Sequence, residues 1–179
     1  MSNINVAVFI SGGGTNLQTI IDGVESGSIP GKIAIVLSSR KNAYGLERAK
    51  RHGLESCYIG TGNYPDPAHR TEKILEILRQ KKIDLIVLAG YMSILDKSLV
   101  RAYPNKIINI HPSLIPSFCG KGFYGEKVHK AVLDYGVKIT GATVHFVDEG
   151  TDTGPVILQK AVRVHKNDTV EILAQRVLK

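Results

Sequence analysis

Asn5-Val6-Ala7-Val8-Phe9-Ile10-Ser11-Gly12-Gly13-Gly14-Thr15-Asn16 is the stretch whose reading decides the fold. Its first half is a short, unbroken apolar run, which suits a strand buried in a parallel sheet. Its second half is a glycine loop. Beyond the loop Leu17, Ile20, Ile21 and Val24 recur at helical spacing. Strand, glycine loop and helix amino terminus in that order build an anion site, because free backbone N–H groups and the helix dipole face the loop. Gly12, Gly13 and Gly14 let the backbone approach the anion, and Thr15 and Asn16 add side-chain donors. No Gly-Lys-Ser/Thr follows, so the loop is not a Walker A motif. It also fails the dinucleotide fingerprint, since the third glycine position is Leu17. A phosphate monoester fits better than a pyrophosphate.

Outward from that stretch the pattern repeats. Residues 32–38, 55–59 and 84–89 read as further strands, and 44–52 and 68–82 as helices, the second with Ile74, Leu75, Ile77 and Leu78 as its apolar positions. Alternation of this kind over the first two-thirds of the chain implies an α/β fold. Its sheet is Rossmann-like, open, mostly parallel and flanked by helices. Then the pattern changes. A loop over 113–124 and a helix over 125–134, on which His129 is expected to be exposed, lead to two long strands, 139–148 and 156–164. These late strands are expected to pair antiparallel or mixed at one side. A last helix begins at Thr169, capped by Asp168.

The chemistry concentrates at Ile107-Ile108-Asn109-Ile110-His111-Pro112-Ser113. Three isoleucines suit a strand interior, and Pro112 cannot continue a central ladder. Asn109 and His111 are two apart, so both side chains leave one face of an extended chain. They do so at a strand's carboxyl end, where open α/β sheets bind ligands. Taken singly, His111 reads as a core histidine and Asn109 as a turn former; the pair, followed by Pro-Ser, favours function. A carboxamide N–H and an imidazolium N–H together stabilise an oxyanion growing on a carbonyl. Asp152, in a glycine-flanked turn between the late strands, is the carboxylate that would favour the protonated ring. No serine or cysteine is placed as a nucleophile, so direct attack by a substrate nucleophile is expected. His145 is read as structural.

A chain of 179 residues, 43% hydrophobic and 22% charged, fits one globular domain with a buried core. A net charge of +7 would suit nucleic acid, but the basic residues are dispersed and no aromatic residues interleave as stacking platforms. No nucleic-acid partner is expected, and the same field draws small polyanions. The longest apolar stretch, 85–95, falls short of the roughly 20 residues a membrane span needs, and the amino terminus lacks the regions of a signal peptide. Cys57 and Cys119 have neither disulfide-framework nor metal-ligand spacing. The expectations are a cytoplasmic location, no membrane and no metal.

Four motifs follow one another along the chain. They are Ser11-Gly12-Gly13-Gly14-Thr15-Asn16-Leu17-Gln18, Leu88-Ala89-Gly90-Tyr91-Met92, Asn109-Ile110-His111-Pro112-Ser113-Leu114-Ile115-Pro116 and Asp152-Thr153-Gly154-Pro155-Val156-Ile157. In that order they resemble the phosphoribosylglycinamide formyltransferases, folate-dependent enzymes of purine biosynthesis and one-carbon metabolism, over nearly the whole chain. The Asn-x-His-Pro-Ser-Leu segment is shared by the wider formyltransferase group, and the glycine loop points to this branch. The resemblance implies a single formyltransferase domain over 1–179, lacking the family's carboxyl-terminal helical end. It implies transfer of a formyl group from 10-formyltetrahydrofolate, as co-substrate, to the amine of 5-phosphoribosylglycinamide through a tetrahedral intermediate, with no metal. Asn109, His111 and Asp152 would be catalytic, and Gly12, Gly13, Gly14, Thr15 and Asn16 would bind the substrate phosphate. Met92, Ser93, Ile94 and Leu95, with Asn109, Asp148, Glu149, Gly150, Thr151 and Asp152, would line the folate site. A homodimer is the assembly the resemblance allows. Two positions depart from the family pattern: an arginine often found after Met92 is Ser93, and one often found after the Asp66 position is Pro67. The rival readings are a formyltransferase acting on another amine and a phosphate- or folate-binding module with impaired catalysis.

Overall fold

A computed structural model describes residues 4–179. They fall into two compact units, divided between Ile107 and Ile108.

In the first unit, strand β1 (Ile4–Ile10) pairs in parallel with β2 (Gly31–Ser38) on one side and β4 (Leu85–Leu88) on the other. Strand β3 (Ser56–Tyr58) extends the sheet beyond β2, giving the order β3-β2-β1-β4. The chain thus runs outward from β1 to one edge and starts again on the other side of β1. The carboxyl end of β1 is therefore a topological switch point, where open parallel sheets leave a crevice for ligands. Apolar runs form these strands because they are buried: Val6 to Ile10, Ile35 to Leu37 and Ile86 to Leu88 all lie in the core.

Helices α1 (Thr15–Glu25), α2 (Tyr44–Arg51), α3 (Pro67–Gln80) and α4 (Lys97–Ala102) alternate with these strands, each burying a narrow stripe. Leu17 and Ile21 serve α1, and Thr71, Ile74 and Leu78 serve α3. The start of α3 is set by Asp66, whose carboxylate accepts the His69 N–H at 2.9 Å, and by Pro67 in the first turn. Pro67 therefore has a local job as a helix starter.

In the second unit, β5 (Ile107–His111) pairs antiparallel with β6 (Ile139–Phe146), which pairs antiparallel with β7 (Val156–Arg163). The register sets Asn109 opposite His145 and His111 opposite Thr143. Helix α5 (Glu126–Tyr135) ends on Gly136 at φ 82, a left-handed cap, and packs on α6 (Val170–Leu178).

Two expectations are corrected here. His129 is buried rather than exposed, because it shares the inner side of α5 with Val128 and Val132. Helix α6 is capped by Thr169, which accepts the Ile172 N–H at 3.3 Å, and not by Asp168. Asp168 is turned instead onto Arg176, whose guanidinium donates two hydrogen bonds of 2.5 and 2.7 Å. That fork pulls the Asp168 carboxyl down to about 2. Among the described residues no helix is long and apolar enough to cross a membrane.

Candidate active site

Asn109 and His111 project from the same side of β5, and the turn between β6 and β7 brings Asp152 against both. Asp152 sits at φ 57, a left-handed conformation that aspartate accepts better than most residues. Its Oδ2 accepts the Gly120 N–H at 2.9 Å and lies 3.5 Å from His111 Nδ1. Its Oδ1 lies 3.5 Å from Asn109 Nδ2 and 3.6 Å from His145 Nε2. At those longer separations a directed hydrogen bond contributes little. His111 Nε2 donates to the Phe118 carbonyl at 2.9 Å. The three residues picked from the sequence therefore converge, and His145, read from the sequence as structural, stands among them.

The electrostatics of this cluster are lopsided. Burial pushes the Asp152 carboxyl up, but the contact with His145, the Gly120 N–H and the charge of His111 outweigh it and hold the group below its ordinary value. Burial pushes His145 down, yet Asp152, the Phe146 carbonyl and Asp148 carry it above its ordinary value. An ionised acid thus sits half-buried between two imidazoles.

The loop over 113–124 is tied down at its base. Thr143 Oγ1 donates to the Ser113 carbonyl at 2.6 Å and accepts the Ile115 N–H at 3.0 Å. Gln159 Nε2 reaches both the Ile115 carbonyl, at 2.9 Å, and Thr143 Oγ1, at 3.0 Å. The Phe118 ring packs edge-on against Tyr135, their centroids 5.9 Å apart. Asp148 shapes the turn that delivers Asp152, accepting the Gly150 N–H at 3.0 Å and the Thr153 hydroxyl at 2.6 Å. Glu149, Gly150 and Thr151 stand exposed on that turn.

In the first unit the glycine loop leads into α1. The first α-helical bond runs from the Gln18 N–H to the Gly14 carbonyl, 2.9 Å, so the N–H groups of Thr15, Asn16 and Leu17 have no acceptor within the helix. No acidic side chain occupies the first turn and no side chain caps it. A Cβ on Gly12 or Gly13 would meet nothing within 4 Å, whereas one on Gly14 would lie 2.7 Å from Gly45 Cα. Gly14, at φ 72, has no room for a side chain because α2 comes so close. The Gly45 N–H bonds the Gly12 carbonyl at 3.0 Å, and Arg48 Nε bonds the Gly13 carbonyl at 2.8 Å. Sequence reasoning missed both residues; the one available signal was a glycine inside an otherwise helical pattern.

Ile94 and Leu95 line a cavity of about 170 Å³ with Pro67, Arg70, Tyr91 and Leu99. Met92 and Ser93 are exposed and lie outside that lining. The share taken by α3, including the cation of Arg70, was not anticipated. A larger, open hollow of about 610 Å³ on α2 and β3 holds none of the site residues. Among the described residues no group of three or more His, Cys, Asp or Glu side chains is placed to hold a metal ion.

The formyl transferase family model matches residues 4–179. The chain belongs to the formyl transferase family. It is 42% identical over 174 residues to the chloroplastic phosphoribosylglycinamide formyltransferase of Arabidopsis thaliana, a match covering 97% of this chain and 60% of that protein. It is also 42% identical over 171 residues to the phosphoribosylglycinamide formyltransferase of Haemophilus influenzae, covering 96% and 78%. Among solved structures it is similar to glycinamide ribonucleotide transformylase 1 from Symbiobacterium toebii, with a TM-score of 0.92 and 46% identity over 98% of this chain and 81% of that one. The chain thus spans about three-fifths of its plant relative's length, 60%.

Proposed function

We propose that this chain transfers the formyl group of 10-formyltetrahydrofolate to the amine of 5-phosphoribosylglycinamide. The observation that carries the reading is Asp152 lying within 3.5 Å of both Asn109 Nδ2 and His111 Nδ1. The amine attacks the formyl carbon, the carbonyl electron pair moves to oxygen, and a tetrahedral intermediate forms. Asn109 Nδ2–H and His111 Nε2–H donate to that oxygen. The Phe118 carbonyl, 2.9 Å from His111 Nε2, holds that N–H in the structure and gives it up to the formyl oxygen. Asp152 is the counter-charge of His111 and takes the surplus amine proton through water. The bond from the formyl carbon to N10 then breaks, N10 takes a proton, and tetrahydrofolate leaves.

In this reading Gly12, Gly13, Gly14, Thr15 and Asn16 serve the substrate phosphate. Met92, Ser93, Ile94 and Leu95, with Asn109, Asp148, Glu149, Gly150, Thr151 and Asp152, serve the folate. The unbroken family match over 4–179 supports a single formyltransferase domain. A homodimer in the cytoplasm is the proposed working form; exposed Val156, Ile157 and Leu158 on β7 support a second copy as partner. The test is to mix the protein with both substrates and follow the absorbance change as the folate loses its formyl group. Turnover with 5-phosphoribosylglycinamide is expected. Turnover only with a different amine would move the chain to a sister reaction, and binding of both substrates without turnover would make it a binding module.

A further inference from the structure

We infer that His145 is a positioning residue for formyl transfer: its unprotonated Nε2 accepts a hydrogen bond from Asn109 Nδ2 and so fixes which way the Asn109 carboxamide faces. The inference rests on the reading of Asn109 as an oxyanion donor.

Four observations carry it. His145 Nδ1 lies 2.8 Å from the Phe146 carbonyl, which can only accept, so Nδ1 holds a proton and the neutral ring keeps its lone pair on Nε2. Asn109 Nδ2, which can only donate, lies 3.1 Å from that nitrogen. The two residues are direct partners across the β5–β6 ladder, so the contact is built into the register. His145 is also among the largest fully buried side chains, which leaves water no room to substitute for it.

A flipped carboxamide would turn its oxygen toward the Nε2 lone pair and toward Asp152 Oδ1, two acceptors at once. His145 and Asp152 therefore select one orientation. In that orientation one N–H is held by His145, and the second, directed only loosely at Asp152 across 3.5 Å, is available to a formyl oxygen. Protonation reverses the arrangement: an Nε2–H cannot accept from Asn109 and turns to Asp152 Oδ1, 3.6 Å away. The charged groups acting on His145 are Asp152 and Asp148, both from the turn after β6. Its ladder partners, Asn109 on β5 and Val156 on β7, carry no charge, while His111, farther along β5, shares Asp152 with it.

The test pairs a spectrum with kinetics on the whole chain. Long-range 1H–15N spectra of 15N-histidine-labelled protein should show His145 above its titration as the Nδ1–H tautomer with a bare Nε2. His145→Leu should lower kcat about 100-fold while changing either KM less than about 3-fold, because a displaced donor costs transition-state and not ground-state binding. His145→Gln, which offers an amide oxygen near the place of Nε2, should recover about 10-fold of that loss and flatten the acid limb of the kcat profile. A purely structural histidine would show no such rescue. An Nε2–H tautomer or an imidazolium at pH 8.5 overturns the inference, as do equal losses in the Leu and Gln variants or no loss in the Leu variant. The tautomer is read without turnover and stands even where the Gln variant fails to fold. Absence of transfer by the unmodified chain would sink the proposed function alone, leaving the tautomer measurement to decide the role of His145.

Discussion

The Thr143 hydroxyl makes three hydrogen bonds: it donates to Ser113 and accepts from Ile115 and Gln159. One donor and two lone pairs are then fully used. Thr143→Val keeps the side chain's shape and strips all three partners at the base of the loop over 113–124. Each polar group left buried without a partner costs about 1–3 kcal/mol, so a stability loss of about 2 kcal/mol or more is expected in urea unfolding. A loss under about 0.5 kcal/mol would mean that the loop base is held elsewhere. At this scale the sequence is uneven. Asn109 and His111 are legible as a pair, because residues two apart on an extended chain share one face, and Asp152 as the carboxylate that would favour a protonated ring. His145 is not: one histidine in an alternating strand reads as core, and only the ladder register sets it opposite Asn109. His129 fails in the opposite direction, since a polar type on a helix reads as exposed although its neighbours Val128 and Val132 carry it inward.

The decisive element is β1 with its glycine loop and α1. Change of period from a continuous apolar run to helical spacing is visible in the residues themselves, and so are the parallel strands that follow. What touches the loop is not, because Gly45 and Arg48 are some thirty residues away along the chain. That difference alters the mutation worth making. Gly14→Val would collide with Gly45 and force φ 72 on a β-branched residue, so it would report on folding and not on ligands. Gly13→Val projects into open space over the helix terminus. It should weaken binding of 5-phosphoribosylglycinamide by about 10-fold, the scale of a favourable anion contact at a helix amino terminus, and change folate binding less than about 3-fold in calorimetry. Equal weakening of both would detach the loop from the phosphate. Asp168 teaches the same lesson at α6: its residue type fits a cap, but Thr169 takes that place and Arg176, a turn or two along, claims the carboxylate.

Over the whole molecule, each unit carries one part of the proposed chemistry. The first offers an uncapped helix terminus at a switch point, in a chain whose net charge of +7 favours small polyanions. The second gathers two donors and an ionised acid from segments some forty residues apart, which no local pattern could arrange. The proposed transfer therefore depends on the fold bringing residue 152 back to residues 109 and 111. The most direct measurement is kcat at saturating 10-formyltetrahydrofolate and 5-phosphoribosylglycinamide for the unmodified chain and for Asp152→Asn, with circular dichroism recorded on both. The isosteric amide still accepts from Gly120 through its oxygen, so the fold should persist, while the counter-charge and proton acceptor are gone. A fall of about 1,000-fold in kcat with an unchanged spectrum is predicted. A kcat within about 10-fold of the unmodified chain would contradict the account.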